Sequence, residues 1–234
     1  MIDQECKYET HVHTSQGSLC ARSTGAELVD YYLANGYSGM IVTDHFVGSD
    51  SFAAKDEKIW EKKVDRFLAG YLDAKKRAEG LDFNVFLGME YCYKNTEFIF
   101  FNLSIETLYN GEEHFTEKEL SKVLAWIKEE GGYIIHVHPF RLSRRINTIR
   151  LLPNYTDAVE IFNGQNVFSW PEANHYAFEY SKATNLPATS GTDLHGIDSL
   201  ISGGMIFNHK ISTDKELVKA IESGKGKLIK KALF

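Results

Sequence analysis

The amino-acid sequence predicts a single-domain α/β protein, built as a barrel of alternating strands and helices. Short apolar runs rich in Val, Ile, Phe and Tyr alternate with longer helical patterns, which is typical of mostly parallel strands joined by helical crossovers. The 234 residues include only four prolines and no Gly/Ser-rich linker that would separate domains. This length is also normal for one α/β barrel, which commonly has about 200–250 residues.

The strand-like runs are short and are usually bounded by Gly or Asn, as buried strands are. They cover Tyr8–Val12, Gly39–Thr43, Phe83–Met89, Glu97–Leu103, Tyr133–Val137, Ala158–Phe162, Pro187–Thr189 and Gly204–Phe207. So many strand units in one domain favour a barrel over an open sheet.

The helical patterns carry recognisable start signals. A capping box, in which Thr is followed three residues later by Glu, predicts a helix start. Such boxes occur at Thr24 with Glu27, at Thr116 with Glu119 and at Thr213 with Glu216. Two further helices are predicted within Asp56–Glu79 and Glu172–Thr184.

Composition and charge limit the classes of function. The net charge of −6 gives no reason to expect nucleic acid or an anionic membrane as a partner. Cys6, Cys20 and Cys92 are too few and too scattered for a disulfide framework, and the N-terminus lacks a signal-peptide pattern. We therefore expect a cytoplasmic protein with reduced thiols. The residues do not indicate an oligomeric state.

The predicted strands end repeatedly in imidazoles, carboxylates or amides, where α/β barrels carry their functional groups. These residues are His11 and His13, Asp44 and His45, Glu90, His136 and His138, Glu160 and Asn163, and Asp193 and His195. Residues two apart on a strand point to the same side, so each His-x-His pair can converge on one point. A single His or Asp there is more often structural, but burying so many ionisable groups together is costly unless a cation satisfies them. The joint pattern predicts a metal centre. Cys20 is an isolated thiol, and it is predicted only to pack against neighbouring residues.

Five short motifs of the sequence resemble those of a known family. "HVHTS", "TDH", "GME", "HPF" and "GTDLH" are similar, in order and approximate spacing, to the successive motifs of the PHP (polymerase and histidinol phosphatase) superfamily. The resemblance runs from His11 to His195. It implies a distorted (βα)7 TIM-like barrel that holds two or three divalent metal ions and hydrolyses phosphate esters.

The resemblance also implies roles for individual residues. The implied metal ligands are His11, His13, His45, Glu90, His138, Asp193 and His195, with Glu90 bridging two metals and His45 belonging to a further site. Asp44 is expected to orient its neighbour rather than to bind metal. Two segments depart from the family pattern: "TSQGSLCAR" lacks a His or acid after the first motif, and "FIFFNLS" offers only Asn102. His136 is a candidate extra ligand.

The predicted chemistry is metal-assisted phosphate hydrolysis. Imidazole and carboxylate ligands without thiolate suit Zn²⁺, Mn²⁺ or Fe²⁺. Carboxylate-bridged metals can hold a water as hydroxide for in-line attack on a phosphate monoester. Arginines can bind the phosphate through paired hydrogen bonds, unless they form only a solvated basic turn. The candidates are Arg141 first, then Arg144 and Arg145 in the same loop, and Arg22. Glu90, His138, Asp193 and Arg141 form the predicted catalytic set.

Two other functions remain open on sequence grounds. One is an amidohydrolase-type enzyme that acts on C–N bonds, and the other is a non-catalytic metal-binding module. The expected partner is a small phosphorylated substrate such as histidinol phosphate or a nucleotide. Nucleic acid is expected only as a mononucleotide or a short oligonucleotide end, and no membrane is expected.

Overall fold

A computed structural model of the chain describes residues 5–47, 51, 56–142, 148–198 and 203–230. The strands are β1 (Cys6–Val12), β2 (Tyr37–Val42), β3 (His45–Phe46), β4 (Asn84–Tyr93), β5 (Thr96–Phe101), β6 (Tyr133–His136), β7 (Ala158–Asn163), β8 (Ala188–Gly191), β9 (Met205–Phe207) and β10 (Lys227–Leu228). The helices are α1 (Gly25–Ala34), α2 (Trp60–Ala78), α3 (Ile105–Asn110), α4 (Glu112–Phe115), α5 (Leu120–Glu129), α6 (Asn166–Ser169), α7 (Pro171–Thr184) and α8 (Asp214–Glu222).

The strands form a nearly closed barrel. They follow one another in the order β10-β9-β1-β2-β4-β5-β6-β7-β8, with β3 beside β4. The segment after β8 returns to β1, where the Asp193 amide donates to the His11 carbonyl at 2.8 Å and the His13 amide donates to the Leu194 carbonyl at 3.1 Å. The α/β fold and the distorted TIM-like barrel that the sequence predicts are therefore confirmed.

Two strands of the sheet run against their neighbours. The pairs β1–β2, β2–β4, β6–β7 and β7–β8 are parallel, but β9 is antiparallel to β1 and β10, and β5 is antiparallel to both β4 and β6. The turn between β4 and β5 has only Lys94 and Asn95, both with positive φ, which suits a tight hairpin and is too short for a crossover. The start of β5 therefore lies at the same rim as the end of β4.

Helix starts follow the predicted caps in two cases out of three. Thr24 forms the full capping box with Glu27, and the Thr213 side chain accepts from the Glu216 amide. The box predicted at Thr116 is wrong, because α5 begins at Leu120 with Glu119 as its N-cap. The chain forms α4 immediately before Thr116, so the Thr116 hydroxyl donates backwards to the Glu112 carbonyl at 2.7 Å. It therefore ends one helix rather than starting the next.

Apolar packing occupies the barrel away from the polar rim. Cys6 and Tyr8, early in β1, lie in one buried cluster with Leu217 and Ile221 of α8. The polar residues follow later along the same strand, so the candidate site lies at the C-terminal rim. Among the residues that the structure describes, no helix combines the length and apolarity needed to cross a membrane.

Candidate metal centre

Four predicted ligands meet at the centre of the rim. His11 Nε2 lies 3.3 Å from Glu90 Oε1 and 3.5 Å from Asp193 Oδ1. His13 Nε2 lies 3.4 Å from Glu90 Oε2 and 3.2 Å from Asp193 Oδ1. All four side chains are buried, yet neither Nε2 atom makes a hydrogen bond with a described residue. Two buried imidazole nitrogens aimed at two carboxylates without hydrogen-bond alignment fit a divalent cation between them.

A second set of ligand atoms continues from Glu90. His138 Nε2 lies 3.1 Å from Glu90 Oε1 and 3.6 Å from Glu97 Oε2. Glu97 also forms a potential metal-binding group with His45 and Glu90, whose ligand atoms lie within 4.8 Å of one another. Sequence reasoning missed Glu97 because it begins a strand that was expected to be parallel. The available signal was one carboxylate directly before the apolar run "FIFF".

Three histidines pack together on the other side of Glu90. The ring of His13 lies 4.6 Å from the ring of His45 and 4.6 Å from that of His195, measured between centroids. His45 Nδ1 is 2.8 Å from Glu90 Oε2. Burial raises the pKa of the Cys20 thiol, but hydrogen bonding to His195 and His45 outweighs burial, so the pKa lies below its ordinary value.

Charges around His11 favour a positive charge at the centre. Burial lowers the pKa of His11, but Asp193, Glu160 and Glu90 together raise it well above the ordinary value. Burial raises the pKa values of Glu90 and Asp193, but the surrounding histidines bring both well below the ordinary value, with Arg141 also acting on Asp193. These carboxylates would also stabilise a metal cation bound between them.

Two buried glutamates hold the predicted ligands in place. Glu160 Oε1 lies 2.9 Å from His11 Nδ1, and Glu160 Oε2 accepts hydrogen bonds from the His138 amide at 3.0 Å and from Asn163 Nδ2 at 2.9 Å. Glu9 Oε1 accepts from the His11 amide at 2.8 Å and from the Thr192 amide at 2.9 Å. Burial raises the pKa of Glu9 to about 7. Glu9 was missed because a single carboxylate inside a strand resembles an outward-facing residue.

Asp44 anchors the loop after β1. It accepts from the Thr14 amide at 2.7 Å, from the Thr14 hydroxyl at 2.6 Å and from the Ser18 hydroxyl at 2.7 Å. Ser18 Oγ lies 3.2 Å from His13 Nδ1 and accepts from the His45 amide at 3.0 Å. Asp44 thus acts on two histidines through Ser18. Gly17 permits this contact, because a Cβ there would lie 2.3 Å from Asp44 Cγ.

Arg141 lies between the predicted metal ligands and an open cleft. It donates from Nη2 to Asp193 Oδ2 at 2.7 Å and to Asn163 Oδ1 at 2.6 Å, and from Nε to Asn166 Oδ1 at 2.9 Å. The cleft has a volume of about 410 Å³. Its lining comprises Cys20, Arg22, Arg141, Gln165, Ser169, Asp193 and His195.

The other predicted site residues lie at the edge of the cleft or away from the predicted ligands. Arg22 is exposed and donates to Asp198 at 2.7 Å. His136 is buried against Phe98, with ring centroids 4.9 Å apart, and belongs to none of the ligand groups found among the described residues. Asn102 directly follows the far end of β5 and donates to the Gly131 carbonyl at 2.7 Å. Arg144 and Arg145 fall outside the described residues.

Solved structures share this fold, although no protein-family model and no curated protein matches the sequence. One is a two-domain protein from Bacteroides vulgatus ATCC 8482 that contains a predicted PHP-like metal-dependent phosphoesterase; it has a TM-score of 0.69 and 16% identity over 96% of this chain and 64% of that chain. The lesion-specific endonuclease PfuEndoQ from Pyrococcus furiosus has a TM-score of 0.57 and 14% identity, over 96% of this chain and 58% of that chain. An amidohydrolase from Chromobacterium violaceum has a TM-score of 0.52 and 12% identity, over 81% of this chain and 87% of that chain.

These likenesses define the class of fold. The chain shares its fold with a protein that contains a predicted PHP-like metal-dependent phosphoesterase, so the fold that the five motifs imply is confirmed. It spans less than two thirds of the Bacteroides protein and of the endonuclease, at 64% and 58% of their lengths.

Proposed function

We propose that the chain is a metal-dependent phosphoesterase, organised as one domain over residues 1–234, that hydrolyses a small phosphate monoester. The observation that carries this proposal is the convergence of His11 and His13 Nε2 on oxygens of Glu90 and Asp193. Both nitrogens are buried and have no hydrogen-bond partner among the described residues. Two or three divalent cations, when bound, would supply an activated water and neutralise the charge of the phosphoryl group.

The residues divide into metal-holding and substrate-holding sets. His11, His13, Glu90 and Asp193 would hold one cation, and Glu90, Glu97 and His138 a second. Glu160 fixes the ring of His11, so its Nε2 stays directed at the centre. Arg141 is fixed at the cleft by Asp193, Asn163 and Asn166, where a guanidinium can bind a phosphoryl oxygen.

The cleft supports a small substrate. Its volume of about 410 Å³ lies within the range of roughly 300–1,000 Å³ that is usual for small-molecule sites. Arg141 and Arg22 contribute positive charge to its lining, although the whole chain carries −6. A local basic lining in an acidic protein favours a small anion over a long nucleic acid.

A substrate panel tests the proposal against its alternatives. The protein, loaded with Mn²⁺ or Zn²⁺, would be assayed for phosphate release from aryl phosphates, nucleoside monophosphates and histidinol phosphate. Amides, cyclic amides, aminopurines and a 5′-phosphorylated oligonucleotide would be assayed in parallel. Phosphate release that is lost in Glu90→Gln supports the proposal. Hydrolysis of only C–N bonds would establish the amidohydrolase alternative, and bound metal without any turnover would establish a non-catalytic module.

A further inference from the structure

We propose that Arg150 is a positioning residue for the second cation of the centre, the one that Glu97 and His138 would share. The inference rests on the proposed function, because it concerns how one predicted metal ligand is kept in place. Arg150 Nη1 donates to the Lys94 carbonyl at 3.0 Å and to the Thr96 hydroxyl at 3.2 Å. Thr96 directly precedes Glu97, so Arg150 acts on the segment that carries this carboxylate.

The turn that these hydrogen bonds hold has an unfavourable backbone conformation. Lys94 and Asn95 form the turn between β4 and β5, and both have positive φ, of 47° and 63°. The left-handed region suits Asn but not Lys, whose Cβ there comes close to the following carbonyl oxygen. A donor to the Lys94 carbonyl therefore stabilises the less favourable of the two positions. The hairpin register, which places Cys92 opposite Glu97, depends on this turn.

Arg150 reaches the turn from the segment that carries the other predicted ligand. It follows His138 in the connection between β6 and β7. Arg150 is half-buried, whereas Ile149 and Leu151 on either side are 41% and 39% exposed. Together with Glu97 and His138, it lines a cavity of only about 10 Å³, which has room for no more than about one water. One side chain therefore links the segments that carry Glu97 and His138.

The backbone pairing with β6 fixes Glu97 only in part. The ladder between β5 and β6 ends at the pair Phe98–His136 on this side of the barrel. A further hydrogen bond, from the Val137 amide to the Glu97 carbonyl, is long at 3.3 Å. Arg150 supplies side-chain contacts beyond that point. Loss of its guanidinium should therefore displace Glu97 more than the ligands on the parallel strands.

Manganese titration tests the inference. The full-length protein would be stripped with a chelator and titrated with Mn²⁺, while electron paramagnetic resonance measures the free ion. Glu97→Gln identifies the affinity that belongs to the second cation, because it removes the charge of that ligand. Arg150→Met should weaken the same affinity at least about 10-fold, the usual effect of losing a group that orients a metal ligand. The affinity for the first cation should stay unchanged.

Further variants separate positioning from a general loss of stability. Arg150→Lys should recover part of the affinity, because an ammonium can donate to the Lys94 carbonyl but lacks the fixed fork of a guanidinium. Arg77→Met removes an exposed pair with Asp30 on α2 and should affect neither cation. In a Thr96→Val background, which lacks the hydroxyl acceptor, Arg150→Met should cost less affinity than in the wild type. Circular dichroism would verify that each variant is folded.

Hydrogen exchange gives an independent readout. Residues 148–152 include none of the predicted metal ligands, so their amides sense the second cation through Arg150. In the wild type, exchange in this segment should slow when the second Mn²⁺ binds, because an ordered Glu97 and an ordered turn stabilise the contacts of Arg150. In Arg150→Met, the second Mn²⁺ should leave exchange in this segment unchanged.

The outcomes separate this inference from the proposed function. Equal second-cation affinities in Arg150→Met and Arg77→Met, an equal loss of both cations in Arg150→Met, or exchange in residues 148–152 that ignores the second cation would each refute the positioning role. Phosphate release combined with any of these results would refute only the positioning role. The expected affinities without turnover of any phosphate ester would refute only the proposed function. A wild type that binds a single cation would overturn both.

Discussion

Glu160 directs the ring of His11, with Glu160 Oε1 only 2.9 Å from His11 Nδ1. A carboxylate in this position keeps the proton on Nδ1 and leaves the Nε2 lone pair for a metal. The other oxygen of Glu160 accepts from the His138 amide at 3.0 Å. One buried carboxylate therefore positions predicted ligands from two parts of the chain, β1 and the segment after β6.

We expect Glu160→Gln to weaken metal binding by about 10- to 100-fold, the usual effect of removing a carboxylate behind a ligating histidine. The amide still fits the space but is a weaker acceptor for the His11 Nδ1 hydrogen. Competition against a coloured chelator would measure the change. Glu172→Gln, on an exposed position of α7, is the matched control. Equal affinities in the two variants would show that Glu160 does not act on the metal.

We expect Glu90→Gln to lower turnover at least about 100-fold at saturating metal, because the amide keeps the shape but removes the charge that holds two cations close together. Glu90 faces His11, His13, His45 and His138 at distances of 2.8 to 3.4 Å. Elemental analysis of the purified variant should show fewer ions than in the wild type, and steady-state kinetics would measure turnover. Near-normal turnover would remove Glu90 from the site.

The predicted ligands on the parallel strands could be found from the sequence because each of them lies at the end of an apolar strand pattern. His11, His13 and Asp193 follow apolar runs directly, and parallel strands bring such positions to one rim. Glu97 was not predictable in this way, because the reversal of β5 depends on a turn of only two residues. Glu9 was not predictable either, since its role comes from amides of distant segments such as that of Thr192.

The reversal of β5 yields a paired prediction. Glu97→Gln should reduce metal content and should lower phosphate release at least about 10-fold, because Glu97 lies 3.6 Å from His138 within the ligand set. Asn102→Ala should leave turnover unchanged, because Asn102 directly follows the opposite end of the same strand. Kinetics and metal analysis of both variants would measure the contrast. A defect in Asn102→Ala comparable to that in Glu97→Gln would contradict the placement of the site.

Metal binding should strengthen as pH rises. Burial lowers the pKa of His195, but Cys20 and Asp193 outweigh it and raise the pKa to about 9 in the metal-free protein. A metal must displace this proton, so below pH 9 the affinity should increase about tenfold per pH unit for each proton released. Chelator competition over a range of pH would measure the slope. His195→Asn should reduce the slope by about one proton, and an unchanged slope would exclude His195 as a ligand.

The raised pKa of His195 also contributes to the pH dependence of the stability of the metal-free protein. Because the folded pKa of His195 is raised, its stabilising contribution is fully present below the unfolded value of about 6.5. That contribution is lost as pH rises through about 9. Urea unfolding of metal-free wild type and His195→Asn should therefore give a difference in free energy that is larger at pH 6 than at pH 9. A difference that grows with pH would contradict the assignment.

Arg141 should separate substrate capture from metal binding. It is held by Asp193 at 2.7 Å and by Asn163 at 2.6 Å, and a guanidinium is not a metal ligand. Arg141→Ala should keep the metal content and cost about 2–4 kcal/mol of transition-state binding, typical of a lost charge-assisted contact in a partly desolvated site. That loss corresponds to about 30- to 1000-fold in kcat/KM.

Matched variants decide whether Arg141 contacts phosphate. Arg141→Lys should recover only part of the loss, because an ammonium cannot make the two-pronged contact of a guanidinium. His138→Ala should lose metal as well as activity, because its Nε2 lies 3.1 Å from Glu90. Arg22→Ala, at an exposed pair with Asp198, should have a smaller effect than Arg141→Ala. If Arg141→Ala hydrolyses phosphate esters normally, Arg141 serves only to hold Asp193, and the metals or Arg22 must bind the phosphate.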